Sequence, residues 1–227
     1  MLSFAAALVI GVVFYPGLMS PDSATSWGEA ILGRYGNLHP PIMAAVWSLF
    51  LPYNDGPAPM LALQLAMYAT GIAMLASRLS SWRRYALPLL AHGLPPFMIT
   101  LGTVIKDMQM MAALVLAFAL CTTAIERRSK LALAASLTLL FYALLLRHNA
   151  LAIVLPLTPL WLKAIWPSLN ARLRYAVATP LAVCVLFAGA MMVNSHLTWR
   201  DQHPHQSVAL YELVGVSVRS GTNFVPP

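Results

Sequence analysis

The chain has 227 residues, of which 59% are hydrophobic and only 9% charged, and its mean hydropathy is +0.72. This composition excludes a soluble globular domain and predicts an integral membrane protein. The formal net charge of +7 does not indicate a nucleic-acid partner, because the basic residues are scattered at the ends of apolar segments and form no basic face.

Apolar segments along the chain predict an all-α, polytopic transmembrane helix bundle of about seven spans in a single domain, residues 1–227. Each segment is long enough, or nearly so, to cross about 30 Å of hydrocarbon. The first lacks a basic leader, so we expect a retained anchor rather than a signal peptide. His92, Gly93, Pro95 and Pro96 interrupt the third, which predicts a kink. The segments are 2–15, 58–77, 86–104, 108–125, 131–146, 150–166 and 175–195.

Charges in the connections predict the orientation in the membrane. Three connections hold nine of the 14 Lys and Arg residues, and by the positive-inside rule these connections face the cytoplasm. The acidic residues except Glu126, and the histidines except His92, then lie on the extracytoplasmic side. The basic residues in the three connections are Arg78, Arg83, Arg84, Arg127, Arg128, Lys130, Lys163, Arg172 and Arg174.

A long first outer loop, residues 16–57, follows from this orientation. Residues 40–51 are apolar but number only about twelve, too few to cross a bilayer, so they predict a juxtamembrane helix in the outer leaflet. Pro40 and Pro41 suit the first turn of such a helix, and Trp47 could anchor it at the interface. Residues 196–227 are expected to form an outer tail.

Three polar residues of this loop are candidates for chemistry. Asp22 follows a turn and either caps the next helix, as Ser20 also could, or serves a catalytic site. Glu29 is seven residues later on the same helical face. Its side chain points either into the same cleft or into solvent, and we expect it to point into solvent. His39 is held extended by the prolines that follow it, as a structural residue or as a ligand contact.

Two further polar groups interrupt apolar runs at the outer interface. Lys106 and Asp107 lie between two predicted spans, where charge is costly and usually functional; the alternative is an adjacent, mutually neutralising pair. Arg147 either extends toward lipid headgroups or binds a lipid phosphate with its forked guanidinium. His148 and Asn149 would orient the same anion or cap the turn. Together these groups indicate a site for a lipid-borne phosphate.

Several short motifs carry a resemblance to a known family. The chain has "PGLMSPDS" in the first outer loop, "HPPIMAAVW" at the juxtamembrane helix and "KD" in the second outer loop. In these it is similar to the membrane glycosyltransferases of the C-type fold. It most resembles an uncharacterised bacterial branch in which "RHNA" and a tail like "HQSVALYELVGVSV" recur.

The resemblance implies a donor and two acidic positions. The donor would be a sugar on polyprenyl phosphate or diphosphate, used at the outer face of the bacterial cytoplasmic membrane, and the acceptor a glycan, lipid or protein. Asp22 matches the catalytic acidic residue of the first outer loop and Asp107 the second acidic position, two spans later. Lys106 and Arg147 fall where phosphate contacts would lie. A divalent cation, Mg²⁺ or Mn²⁺, could bind at either carboxylate.

Glu29, His39, His148 and Asn149 complete the predicted substrate-binding set. The mechanism expected is one inverting displacement with Asp22 as the base that takes the acceptor proton. Two alternatives stay open: a carrier or flippase of a polyprenyl-linked substrate, and a non-catalytic membrane subunit. Family members commonly continue through further spans. Three further alternatives for this chain are therefore a truncated enzyme, a minimal enzyme and one half of a partner-dependent enzyme.

Overall fold

The computed structural model describes residues 1–200, 204–222 and 224. This part of the chain is mostly helical, with four very short strands. The elements in chain order are α1 Leu2–Val13, β1 Leu18–Met19, α2 Pro21–Leu32, β2 Tyr35–Gly36, α3 Ile42–Ser48, α4 Ala58–Ser77, α5 Arg83–Gly93, α6 Pro95–Gly102, β3 Thr103–Val104, α7 Lys106–Arg127, α8 Lys130–Leu146, a 3₁₀ turn His148–Ala150, α9 Leu151–Ile165, α10 Ala171–Leu173, a π turn Arg174–Ala178, α11 Thr179–Leu197, β4 Thr198–Arg200 and α12 Pro204–Ser220.

Four helical stretches of the described chain are long and apolar enough to cross a membrane. They are Ala58–Ser77, Lys106–Arg127, His148–Ile165 and Ala171–Leu197, and each coincides with one of the seven predicted spans. Leu2–Val13 and Lys130–Leu146 are apolar but shorter. The prediction of a membrane protein is therefore supported. Of the seven predicted spans, four coincide with helices long and apolar enough to cross a membrane.

The predicted kink in residues 86–104 is a complete break between two helices. Leu94 is extended, with φ −75° and ψ 129°, and separates α5 from α6. The ring of Pro95 disfavours a helical conformation at the residue before it and suits the first position of a new helix. His92 is buried at the end of α5, with Nδ1 3.0 Å from the carbonyl oxygen of Pro88.

The core forms where α7 packs against α4 and α8. Small residues permit this close approach, as is common between membrane helices. A Cβ added at Gly71 of α4 would come 2.8 Å from the side chain of Val115 on α7. Between α7, α8 and α9, Ser136 donates to the carbonyl of Ala117 at 2.6 Å and accepts from the indole of Trp161 at 2.6 Å.

The helix ends separate into two groups. At one end, Arg78 after α4 pairs with Glu126 near the end of α7, with Nε and Oε1 3.1 Å apart. We call this the basic end, because α8 begins there and the predicted basic connections meet there. At the opposite end, β1 pairs with β3 and β2 pairs with β4, both in parallel. We call this the site end.

The predicted juxtamembrane helix is present but short. α3 packs against α2, α8 and α11, so it lies on the bundle at the site end. The prediction that Trp47 anchors this helix at a lipid interface is wrong, because Trp47 is fully buried and its indole donates to the carbonyl of Gly56 at 3.1 Å.

Candidate functional site

The start of α2 frees the Asp22 carboxylate from a capping role. Ser20 is the N-cap of α2. Its hydroxyl accepts from the backbone N–H of Ser23, and the hydroxyl of Ser23 accepts from the backbone N–H of Ser20. This reciprocal capping box satisfies the first turn of the helix. Asp22 therefore lies in the first turn with its carboxylate available for other contacts.

Pairing of β1 with β3 brings two distant parts of the chain together. Leu18 is opposite Thr103 and Met19 opposite Val104, and the hydroxyl of Ser23 donates to the backbone carbonyl of Val104. Since Lys106 begins α7 two residues after β3, this pairing positions it beside the start of α2.

Gly17 makes the pairing possible. Its φ is +118°, which L side chains rarely adopt, and a Cβ there would come 2.9 Å from the side chain of Val104. The chain therefore turns from α1 into β1 at a position that requires glycine.

Asp22 contacts His39. The prolines that follow His39 restrict its backbone, and its ring lies against the Asp22 carboxylate. Nε2 of His39 is 3.3 Å from Oδ1 of Asp22. Burial lowers the pKa of His39 from 6.5, and the positive charge of Lys106 lowers it further, outweighing the opposite effect of Asp22. A neutral imidazole can donate its Nε2 proton to the carboxylate and so fix its orientation.

Lys106 is the most unusual charge in the site. The residue is only 2% exposed, and its Nζ is buried without a hydrogen-bond partner among the described residues. Asp22, Glu29, Asp107 and Arg147 all lie close enough to act on its charge electrostatically. A buried ammonium without a direct partner is costly. The nearby carboxylates offset this cost only through longer-range electrostatic attraction.

Asp107 forms an ion pair with Arg147. An Nη of Arg147 donates to Oδ2 of Asp107, which joins the start of α7 to the end of α8. Both side chains remain partly exposed, at 35% for Arg147 and 43% for Asp107. Nε of Arg147 is buried and has no partner in the part of the chain that the structure describes.

Glu29 is held within the protein rather than turned freely to water as we expected. Its Oε1 accepts from the backbone N–H of Gly36 at 3.0 Å. Burial raises the pKa of Glu29 above its usual value, although the bond from Gly36 and the charge of Lys106 act in the opposite direction. Glu29 thereby ties α2 to β2 on the same side as Asp22.

A cavity of about 630 Å³ opens next to His39, within the range of small-molecule sites. Residues 37–41, His148 and the end of α11 line it. His148 lies edge-on to Phe187, with ring centroids 5.8 Å apart, while Asn149 is exposed. His148 and His39 thus line the same cavity.

The predicted divalent cation gains no support from the donor set. The carboxylates of Asp22 and Asp107 are each engaged by a basic side chain. Within residues 1–200, 204–222 and 224, no three His, Cys, Asp or Glu side chains group as metal ligands. A further group of potential ligands in the sequence, Asp201, His203 and His205, lacks any recognised metal-site spacing, and Asp201 and His203 lie outside the described residues. Metal dependence stays a prediction.

Two contributors were missed from the sequence. Ser23 belongs to no recognised functional motif. Its hydrogen bond to Val104 depends on the pairing of β1 with β3, and strands of two residues leave no sequence pattern from which such a pairing could be predicted. Asn194 lines the cavity and donates Nδ2 to the carbonyl of Leu145 at 3.1 Å, leaving its buried Oδ1 without a partner among the described residues. Its polar side chain inside an apolar run is the signal that could have identified it.

Comparison with protein-family models, curated proteins and solved structures finds no match to this chain. The resemblance to C-type membrane glycosyltransferases therefore rests on the sequence motifs alone.

Proposed function

We propose that this protein is a membrane glycosyltransferase that moves a sugar from a polyprenyl-phosphate or diphosphate donor to an acceptor glycan, lipid or protein. The observation that carries the proposal is the buried Nζ of Lys106, which lacks a direct partner among the described residues while three carboxylates and a second cation act on its charge. Such an ammonium suits an anionic ligand that supplies the missing contact.

The donor phosphate would bind Lys106 and Arg147. A buried ammonium and a forked guanidinium both stabilise phosphate oxygens, and their effect is strong where water is largely excluded. Asp107 acts as a positioning residue in this scheme, because it holds Arg147 through the ion pair. As the bond to the sugar breaks, the same two cations stabilise the charge that grows on the leaving phosphate.

Asp22 would act as the base. In a single inverting displacement, the acceptor oxygen forms a bond to the anomeric carbon and its proton passes to Asp22. The bond from that carbon to the phosphate oxygen breaks, and the electron pair leaves with the phosphate. Asp22 is suited to this role because its side chain is 49% exposed and can meet an acceptor hydroxyl directly. His39 orients the carboxylate.

The cavity beside His39 would admit the substrate. Pro40 and Pro41 line it together with Met191 and Asn194, so it offers an apolar wall with a few polar groups. His148 and Asn149 would contact the sugar or phosphate. In the full proposal the bundle crosses the bacterial cytoplasmic membrane about seven times, with the site end facing outward and the basic end inward.

Reconstituted protein tests the base directly. Proteoliposomes would be supplied with a set of radiolabelled polyprenyl-phosphate sugars and a membrane extract as acceptor source. We expect Asp22→Asn to reduce the transfer rate by roughly 10²- to 10⁴-fold, the usual contribution of a general base. Asp55→Asn is the matched control, because Asp55 is an exposed carboxylate of the same loop outside the proposed site.

Transfer that survives Asp22→Asn at the wild-type rate would remove the proposed base. Specific binding of donor without any turnover would instead favour the alternative of a carrier or a non-catalytic subunit.

A further inference from the structure

A second cavity lies at the basic end of the bundle. It has a volume of about 700 Å³ and is formed by the end of α7, the start of α8 and the end of α9. Because the 22 residues of α7 extend about 33 Å, this cavity is separated from Lys106 by roughly the thickness of a bilayer core.

The lining of this cavity includes apolar residues, which we call the wall, and basic residues, which we call the rim. Ala124, Ile125, Leu133, Ala164 and Ile165 form the wall. The basic residues Arg128, Lys130 and Lys163 line the rim and are exposed. An apolar surface next to a cationic one matches an amphiphile with an acyl chain and an anionic headgroup.

The rim carries uncompensated positive charge. None of its three basic side chains forms an ion pair within the part of the chain that the structure describes. Glu126, the acidic residue nearest in sequence, is held by Arg78, whose Nε lies 3.1 Å and 3.3 Å from its two carboxylate oxygens. Among the described residues, none that lines the cavity is a carboxylate.

Local backbone structure fixes the rim. Arg128 ends α7 in the left-handed conformation, with φ 51°, which turns the chain directly into α8. Ser129 caps α8 by accepting from the N–H of Ala132 at 3.2 Å, so its hydroxyl proton remains available to a ligand. Trp166, 56% exposed just after α9, is an aromatic residue of the type that resides at membrane interfaces.

We propose that this cavity binds the phosphate headgroup of an anionic phospholipid, with the phosphate at Arg128, Lys130 and Lys163 and an acyl chain along the apolar wall. Basic pockets between membrane helices commonly hold such headgroups. The binding does not depend on the proposed transferase activity, since its residues are at the opposite end of the bundle.

Native mass spectrometry of the purified full chain tests the site. Protein would be exchanged into phosphatidylcholine containing a fraction of phosphatidylglycerol, and retained lipid would be counted for the wild type and for Lys130→Gln/Lys163→Gln. Each basic residue near an anionic surface contributes about fivefold in affinity, so we expect the double variant to bind phosphatidylglycerol about 30-fold more weakly.

The matched control is Arg83→Gln/Arg172→Gln, which removes the same charge from exposed positions at the basic end but outside the cavity. We expect it to retain phosphatidylglycerol as the wild type does. Phosphatidylglycerol should also raise the melting temperature of the wild type and the control but not of the cavity variant, because a ligand stabilises the folded state that it binds. Melting in phosphatidylcholine alone verifies that each variant folds.

Two results would overturn the proposal. Equal loss of lipid from both double variants would show a general surface charge effect rather than a site. Inorganic phosphate that displaces all retained phosphatidylglycerol, and by itself raises the melting temperature as much, would identify a soluble phosphate as the ligand and reject the phospholipid.

Discussion

In the proposed function, Lys106 sacrifices stability for ligand binding. A buried cation without a direct partner is a defect in the unliganded protein, because burying a charge without compensating contacts is costly. An apolar side chain of similar volume at this position would not carry that cost. A ligand at Lys106, as the proposed function requires, would account for this unfavourable burial.

We expect Lys106→Met to retain or raise the melting temperature while it weakens donor binding. The matched control is Gln64→Met, which also replaces a buried polar residue. The amide of Gln64 donates to the carbonyls of Leu101 and Thr103 at 2.7 Å and 3.0 Å, so its loss should lower the melting temperature, since it leaves carbonyls unpaired. Thermal unfolding in detergent measures both, and a strongly destabilised Lys106→Met would refute the idea of an unsatisfied ammonium.

The lowered pKa of His39 predicts a pH dependence of stability. Below its ordinary pKa of 6.5 the unfolded chain takes up a proton that the folded protein resists, because burial and Lys106 disfavour the charged ring. Stability should therefore fall as the pH drops from 6.5 toward the lowered pKa of the folded state. We expect the melting temperature of His39→Gln to decrease less over this window than that of the wild type. Parallel decreases in both proteins would contradict the shift.

At the scale of elements, the turn from α1 into β1 determines where α2 begins. Gly17→Ala would force a side chain into a left-handed position and against Val104. Strain of this kind costs about 1–3 kcal/mol, and we expect a corresponding loss of stability together with slower transfer. Gly28→Ala is the control: nothing lies within 4 Å of a Cβ there, and alanine in a helix is favoured over glycine by up to about 1 kcal/mol. Chemical denaturation distinguishes the two, and equal stabilities would dismiss the proposed role of this turn.

Much of the element-level architecture was predictable from hydropathy. The break at Leu94 follows from Pro95, and the four long helices follow from uninterrupted apolar runs. The strand pairs were not predictable, because β1, β2 and β3 have two residues each and show no alternation. The prediction for Trp47 was wrong because its burial depends on how the loop folds back so that its indole meets Gly56. A local sequence pattern gives no information about that fold.

At the scale of the whole molecule, charge distribution predicted that acidic groups and basic connections would separate. The structure places Asp22, His39, Lys106 and the Asp107–Arg147 pair at one end of the bundle, and the Arg78–Glu126 pair at the other. Which side chains pair could not be predicted, since several cations compete for each carboxylate. The contact between Asp107 and Arg147 depends on the packing of α7 against α8.

The proposed function requires that the site end binds a lipid-linked phosphate through Lys106. The most direct measurement is the affinity of purified protein in detergent micelles for a short-chain polyprenyl phosphate, compared between wild type, Lys106→Met and Arg127→Gln. Loss of a hydrogen bond to a charged group predicts roughly 10- to 100-fold weaker binding for Lys106→Met and no change for Arg127→Gln at the basic end. Equal affinity of Lys106→Met and the wild type would contradict the claim.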